Sequence, residues 1–368
     1  VIYLRETDVL VIGGGPAGLS AAIAASQCGA TVLLADSANR LGGQLIKQTH
    51  KFFGSRQQHA GTRGIEIARL LTEQAQSRPG LEIMLEAAAL GVYSDGVVTL
   101  EQNEKLIKVR PRRLVVATGA AEKTLAFPNN DLPGIYGAGA VQTLMNVHGV
   151  KPGQRAVMVG AGNIGLIVSY QLRQAGVDVA AVVEAAPSIG GYAVHASKIR
   201  RLGIPILTAH SIKSAHGRDS LEGVTIWQLD ERWQGIPGTE RYLEADILCL
   251  AVGLSPLTEL LWQAGCQMEY IPELGGHVPW HDENQETSVP GIFVAGDAAG
   301  VEEASSAMVT GRLAGLAASH SLGLCPDFAE LAEKARRELA QLRAGPMGEK
   351  IRRGLEKLHA RGQKAASA

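Results

Sequence analysis

Residues 8–36 read DVLVIGGGPAGLSAAIAASQCGATVLLAD, and this stretch decides the fold. Asp8–Ile12 is a short apolar run rich in Val, Leu and Ile, the mark of a buried parallel strand. Gly13, Gly15 and Gly18 follow in G-x-G-x-x-G spacing. Gly13 permits a sharp turn, Gly15 lets a pyrophosphate approach the backbone, and Gly18 lets the next helix lie close on the strand. A helix from Pro16 to about Gly29 aims free N–H groups and its positive dipole end at the phosphates. Thr31–Ala35 is the second strand, and Asp36 closes it, placed to accept hydrogen bonds from a ribose. With 44 glycines among 368 residues, the spacing alone carries little, and a turn without a ligand is the alternative. The weight comes from the full order of strand, turn, helix, strand and acid.

The same pattern returns downstream. Arg155–Val159 reads as a strand, and Gly160, Gly162 and Gly165 form a second G-x-G-x-x-G. A helix to about Ala175 and the strand Val177–Val183 follow, ended by Glu184. Two nucleotide domains in one chain are expected. No arginine follows in Ala185–Ser188, so a carboxylate facing a 2′-hydroxyl favours NADH over NADPH. The alternative is a retained fold that has lost its ligand.

The segments between are less specific. Arg40–Leu45, RLGGQL, offers a second close backbone approach at Gly42 and Gly43 and an amide at Gln44, or else is a surface turn. Residues 46–63 read as an irregular loop holding His50, Phe52, Phe53 and His59. His50 is a candidate acid–base group. Helical spacing spans Arg63–Gln76. Strands are expected at Leu81–Leu85, Val92–Leu100, Lys105–Arg110, Leu114–Gly119, Val224–Leu229, Arg241–Leu243 and Asp246–Gly253. Pro128–Gly139 reads as a connection. Ile292–Ala295 is a strand running into Gly296-Asp297, whose acid is placed for a ligand's polyol or caps the turn. A helix over Val301–Ser319 would bring positive potential close to it. Leu331–Ala368 carries ten basic and four acidic residues and reads as a solvated, partly frayed tail, with a partner-docking helix as the alternative.

Composition sets the outer bounds. The length suits two or three domains, and a net charge of −1 gives no case for nucleic acid. Cys28, Cys249, Cys266 and Cys325 are far apart in sequence and form no C-x-x-C, so neither a redox disulfide motif nor a zinc site is expected. Scattered thiols fit a reducing, cytoplasmic setting. The first strand begins within a few residues, leaving no room for a signal peptide, and no apolar run is long enough for a membrane span.

The motifs GGGPAG at 13–18, RLGGQ at 40–44, VVATG at 115–119, VGAGNIG at 159–165 and TSVPGIFVAGD at 287–297 come in one order. That order resembles the two-dinucleotide-domain flavoproteins of the pyridine nucleotide–disulfide oxidoreductase superfamily, with thioredoxin-reductase-like size, over about residues 5–322. The resemblance implies an α/β fold of two Rossmann-like domains, the NAD domain inserted between two halves of the FAD domain. Its boundaries are expected at 1–122, 123–249 and 250–325, with a basic helical tail at 326–368. It implies FAD contacts at Gly13, Gly15, Pro16, Ala17, Gly18, Asp36, Arg40, Gly43, Gln44, Leu45, Ala89, Thr118, Gly119, Gly296, Asp297, Ser305 and Ser306. It implies a NAD site at Gly160, Gly162, Asn163, Ile164, Gly165, Glu184 and Gly253. Thioredoxin reductases carry C-x-x-C in the inserted domain, but residues 192–208 here hold no cysteine.

Ala295–Ala318 is similar to the flavoprotein α subunits of sarcosine oxidase, opine oxidase and proline or hydroxyproline dehydrogenase complexes. This implies a FAD oxidoreductase that exchanges a hydride with NAD(H) inside an oligomeric complex handling an amine or amino acid. A second flavoprotein is the expected partner. Many such subunits continue into a cysteine-rich iron–sulfur module. No cysteine cluster follows here, so the iron–sulfur protein is expected as a separate chain. Two alternatives stand beside this: a stand-alone NADH-dependent reductase of a small acceptor, and a nucleotide-binding scaffold with little activity of its own.

Overall fold

Alternating strands and helices from both halves of the chain build two compact units. The computed structural model describes residues 4–52, 55–346 and 348–366; Phe53, read above as a loop residue, lies outside them. One unit takes residues 1–121 and 255–368, and the other takes residues 122–254.

The first unit is organised by the strand Leu4–Ile12. It pairs in parallel with Val32–Ala35 on one side and Lys105–Val116 on the other. Leu81–Met84 extends the sheet beyond Val32–Ala35, again in parallel. The long strand Lys105–Val116 serves two neighbours along its far edge. Its first half closes an antiparallel meander with Val98–Gln102 and Ala87–Val92, and its last three residues pair with Ile292–Val294. Residues from both ends of this unit's sequence therefore meet on one strand, which places Gly296-Asp297 beside the first glycine turn. Val9, Leu10, Val11, Leu34 and Val115 are fully or almost fully buried. Burying each such side chain stabilises the fold by about 1.5–3 kcal/mol.

The helices Pro16–Gln27 and Ala304–His320 both pack on this sheet and against each other. Gly311 and Gly315 make that contact possible. A Cβ on either would sit 2.0 Å from the Ala17 carbonyl oxygen or 2.2 Å from that of Ala21. The two backbones therefore touch directly at these points, with small alanine side chains around them.

The C-terminal segment corrects the reading of a solvated, frayed tail. The helix Phe328–Leu342 buries Ala332, Ala335 and Leu339 against Val309 and Leu313. The helix Glu349–Ala366 buries Leu358 against Ile271, Leu274 and Val278. Its basic side chains find acids on the same unit: Arg353 and Lys357 reach Glu273, and Arg361 reaches Glu269.

The second unit has a five-stranded parallel sheet. Its strands stand in the order Ile206–Leu207, Asp178–Val183, Arg155–Val159, Ile247–Leu250 and Ile135–Gly137. A three-stranded antiparallel sheet, His210–His216, Gly223–Gln228 and Arg241–Glu244, accompanies it. The connection expected over Pro128–Gly139 instead contributes the edge strand Ile135–Gly137 and the start of the helix Ala138–His148. Glu122 accepts from the Gly139 N–H at 2.6 Å and the Ala140 N–H at 3.1 Å, capping that helix.

Candidate nucleotide sites

In the first unit the chain leaves Ile12 through Gly13, whose N–H donates to the Ala35 carbonyl at 2.8 Å. Gly13 has φ +105°, and a Cβ there would lie 2.2 Å from the Ala117 oxygen. Gly18 is equally constrained, because its Cβ would lie 1.7 Å from the Gly13 oxygen. Gly15 differs. It caps the helix Pro16–Gln27 in ordinary extended conformation, and among the described residues only the Gly43 Cα comes near its missing Cβ, at 3.8 Å. The helix end is thus left open, with Pro16 and Ala17 in its first turn and no acid to occupy its positive end.

The segment after Asp36 folds back over this turn. The Gly42 N–H donates to the Gly14 carbonyl at 2.8 Å. Gly43 presses so close that a Cβ would lie 2.7 Å from the Gly15 Cα. Asp36 accepts from the Gly14 N–H and, at 2.7 Å, from the Ala38 N–H. Two carboxylate oxygens offer about four acceptor positions, so capacity remains for ribose hydroxyls. Arg40 and Gln44 are exposed, whereas the Leu45 side chain is fully buried in the core. Residues 84–87 run beside Asp36 through hydrogen bonds at 2.9 Å, and Ala89 follows on the strand Ala87–Val92.

Gly296-Asp297 arrives at the same helix end. A Cβ on Gly296 would meet the Ala17 Cβ at 2.7 Å. The Gly296 N–H donates to Thr310 Oγ1 at 3.1 Å. Asp297 accepts from the Glu302 N–H at 3.3 Å. Burial pushes the Asp297 carboxyl up to about 6, and the nearby Glu302 charge adds to the rise. Thr118 donates to the Leu257 carbonyl at 2.6 Å, and Gly119 follows with φ +79°. Ser305 and Ser306 are buried in the first turn of the helix Ala304–His320. His50 is half-buried and stacked on Phe52, with ring centroids 5.5 Å apart.

Sequence reading missed what stands behind Asp297. Arg343, past the end of the helix Phe328–Leu342, makes two hydrogen bonds of 2.5 and 2.9 Å to the Glu302 carboxylate. The pair is largely buried, and it lines a void about the size of one water with His281, Gln285 and Thr310. Gln285 Oε1 is buried there with no protein partner among the described residues, which suits a bound water. Burial drives the His281 imidazole down to about 4.

The second unit repeats the construction. Gly160 has φ +101°, its N–H donates to the Val183 carbonyl at 2.7 Å, and a Cβ would lie 2.3 Å from the Ala251 oxygen. A Cβ on Gly165 would lie 1.9 Å from the Gly160 oxygen. Gly162 caps the helix Asn163–Gln174, and none of the described residues comes within 4 Å of its missing Cβ. Glu184 accepts from the Ala161 N–H at 2.6 Å and the Ala186 N–H at 2.9 Å. Asn163 accepts from the Tyr192 N–H at 2.8 Å and Ile164 is exposed; the strand expected to run to Gly253 stops at Leu250, and Gly253 follows three residues later with φ +115°. Sequence reading also missed the segment Ser188–Tyr192. The Gly191 N–H donates to the Ala161 carbonyl at 2.9 Å, as Gly42 does to Gly14. Leu41-Gly42-Gly43 and Ile189-Gly190-Gly191 each begin five residues past the acid, which is the signal that could have found it.

Residues 7–311 match the pyridine nucleotide-disulphide oxidoreductase family. The chain belongs to that family. It is 31% identical to an opine oxidase subunit from Rhizobium meliloti (strain 1021), covering 92% of this chain and 77% of that protein. It resembles the solved thioredoxin reductase of T. acidophilum in fold, with TM-score 0.72 over 86% of this chain and 99% of that one. It also resembles L-proline dehydrogenase from P. horikoshii, with TM-score 0.69 and 26% identity over 92% of this chain and 60% of that one. The chain is therefore a flavoprotein oxidoreductase with two Rossmann-like domains, the second inserted into the first. The family implies FAD and a pyridine nucleotide. The residues present fit both groups, because each unit holds an open glycine-capped helix end beside a strand-terminal carboxylate. Among the described residues no helix is long and apolar enough to cross a membrane.

Proposed function

We propose that the first unit holds FAD, that the second binds NADH in preference to NADPH, and that the chain passes electrons between them inside an amine- or amino-acid-oxidising complex. When bound, the pyridine nucleotide supplies a hydride and FAD the two-electron carrier. The chain supplies position and charge. Gly15 and Gly43 leave room for a pyrophosphate at the first helix end, with Asp36 turned to the ribose and Gln44, Thr118 and Asp297 available to the remainder. Gly162 and the Asn163 turn offer the same to the second nucleotide.

The observation that carries the NADH preference is Glu184. Its carboxylate is pinned by the Ala161 and Ala186 N–H groups at the end of the strand, where an adenosine 2′-phosphate would meet negative charge. Residues 185–188 supply no basic side chain to offset it. The kinship to opine oxidase and to an L-proline dehydrogenase supports an amine or amino-acid substrate for the complex. The opine oxidase relative is itself a subunit, which supports the presence of partner subunits; the partners proposed are a second flavoprotein and a separate iron–sulfur protein. The test is an anaerobic titration of the flavin-loaded chain with NADH and with NADPH, read by flavin absorbance. Bleaching by NADH at concentrations at least tenfold below those needed with NADPH is expected. Bleaching by NADPH first, or by neither, contradicts the reading.

A further inference from the structure

Cysteines that are distant in sequence meet in the first unit. Cys28 is the C-cap of the helix Pro16–Gln27, and Cys325 sits in the turn between the helices Ala304–His320 and Phe328–Leu342. Their Sγ atoms are 2.9 Å apart, across 297 positions of sequence. Ala24, Leu316 and Phe328 surround the pair. His320 holds the turn from the other side. It stacks on Phe328 with centroids 4.2 Å apart, and its Nδ1 lies 3.4 Å from the Cys325 carbonyl oxygen. Access is unequal: Cys28 is partly exposed and Cys325 is buried. The other two thiols, Cys249 and Cys266, are buried and belong to other clusters.

We propose that Cys28 and Cys325 are a dithiol modification site that hydrogen peroxide converts to an intramolecular disulfide. The partly exposed Cys28 sulfur attacks the peroxide, the O–O bond breaks, water leaves with the thiol proton, and Cys28 becomes a sulfenic acid. The Cys325 sulfur then attacks that sulfur, the S–S bond forms, and the hydroxyl leaves as a second water with the Cys325 proton. Two electrons pass from the two sulfurs to the peroxide oxygens. The site is a staple and not a relay to the flavin. The pair stands at the far end of a 12-residue helix from Gly15, roughly 18 Å along its axis. What the bond ties down is the turn that leads into the C-terminal helices, and so to Arg343. Burial and the neighbouring Cys325 push the Cys28 thiol above its usual range, which keeps the thiolate scarce at neutral pH and the reaction slow.

The test uses the full chain, fully reduced and then treated with hydrogen peroxide, blocked with iodoacetamide and mapped by mass spectrometry. The expected product is a Cys28–Cys325 linked peptide, 2 Da below the sum of its thiol peptides. A dithiol reductant abolishes it, and it forms faster as pH rises from 7 to 9. The oxidised chain then melts at higher temperature than the reduced one, because the bond restricts the unfolded chain. In Cys28→Ser, Cys325 stays open to alkylation after denaturation. Cys28 recovered as sulfinic acid with Cys325 alkylated, or both recovered alkylated after exhaustive treatment, overturns the proposal. Neither outcome bears on the nucleotide sites.

Discussion

The two glycine turns are nearly the same object, and their surroundings are not. Gly13 and Gly160 take the same left-handed turn, and Gly18 and Gly165 make the same forbidden approach to it. Asp36 and Glu184 accept the same pair of backbone N–H groups. The first turn, however, is braced by a third segment. The strand Ile292–Val294 delivers Gly296-Asp297 to the helix end, Glu302 reaches back to Asp297, and Arg343 holds Glu302 from the C-terminal segment. At the second turn the described residues show the local loop Ser188–Tyr192 and the Ala251 segment, the counterparts of Arg40–Gln44 and Ala117. The difference separates the features the two copies share from the brace that the first one carries in addition.

The largest effects should come from what the two copies share. Gly18→Val should unfold the first unit and Gly165→Val the second, each costing more than about 4 kcal/mol, because the contact is with backbone that cannot move aside. Circular dichroism and flavin content check this: the first variant should lose FAD, and the second should keep it. Retention of FAD by Gly18→Val would break the equivalence.

Next comes the brace. Arg343→Met leaves Glu302 largely buried without its partner, at a cost of about 3–5 kcal/mol. Chemical denaturation should show that loss with weakened FAD retention, and the double variant with Glu302→Met should recover most of the stability. An unchanged midpoint in the single variant would show that the C-terminal segment does not support the first site.

Titration sharpens the comparison further. The raised Asp297 carboxyl keeps its proton in the folded apo chain between about pH 4 and 6, while the unfolded chain releases it. Its contribution to stability therefore falls as pH rises through that window and stays lost above it, by at most about 3 kcal/mol. Asp297→Asn should be more stable than the parent at pH 8 and equal to it near pH 3.5 in apo-protein melts. His281 has the opposite sign. Its folded value is depressed to about 4, so its contribution is complete above about pH 6.5 and is lost as pH falls toward 4. The smallest effect should be at Glu184. Glu184→Gln should raise the NADH half-saturation about tenfold, near 1.4 kcal/mol, with FAD content unchanged.

Both turns were legible because strand, turn, helix and acid are consecutive, so glycine spacing and apolar runs report them directly. The C-terminal helices were misread for a physical reason. Their acids, Glu269, Glu273 and Glu302, lie tens of residues away, so the local sequence shows only an excess of Lys and Arg. Their buried faces are narrow, Ala332, Ala335 and Leu339 on one helix and Leu358 on the other, and the surfaces that cover them are equally distant in sequence. The strand Ile135–Gly137 was hidden among Pro, Gly and Asn. The Cys28–Cys325 approach, like the Arg343–Glu302 pair, exists only after the sheet has joined the two ends of the first unit. Ser188–Tyr192 was there to be read, as a repeat of Arg40–Gln44.

The central claim is that FAD and the pyridine nucleotide use separate copies of one turn. Gly162→Asp tests it most directly. Its Cβ meets none of the described residues, its φ of −72° suits any residue, and Asp is a favourable helix cap, so the fold should persist while the carboxylate repels a phosphate. Flavin content and anaerobic NADH bleaching would be measured on the same sample. The account predicts full FAD content and bleaching that requires at least tenfold more NADH. Loss of FAD, or bleaching at the parent's NADH concentration, would contradict it.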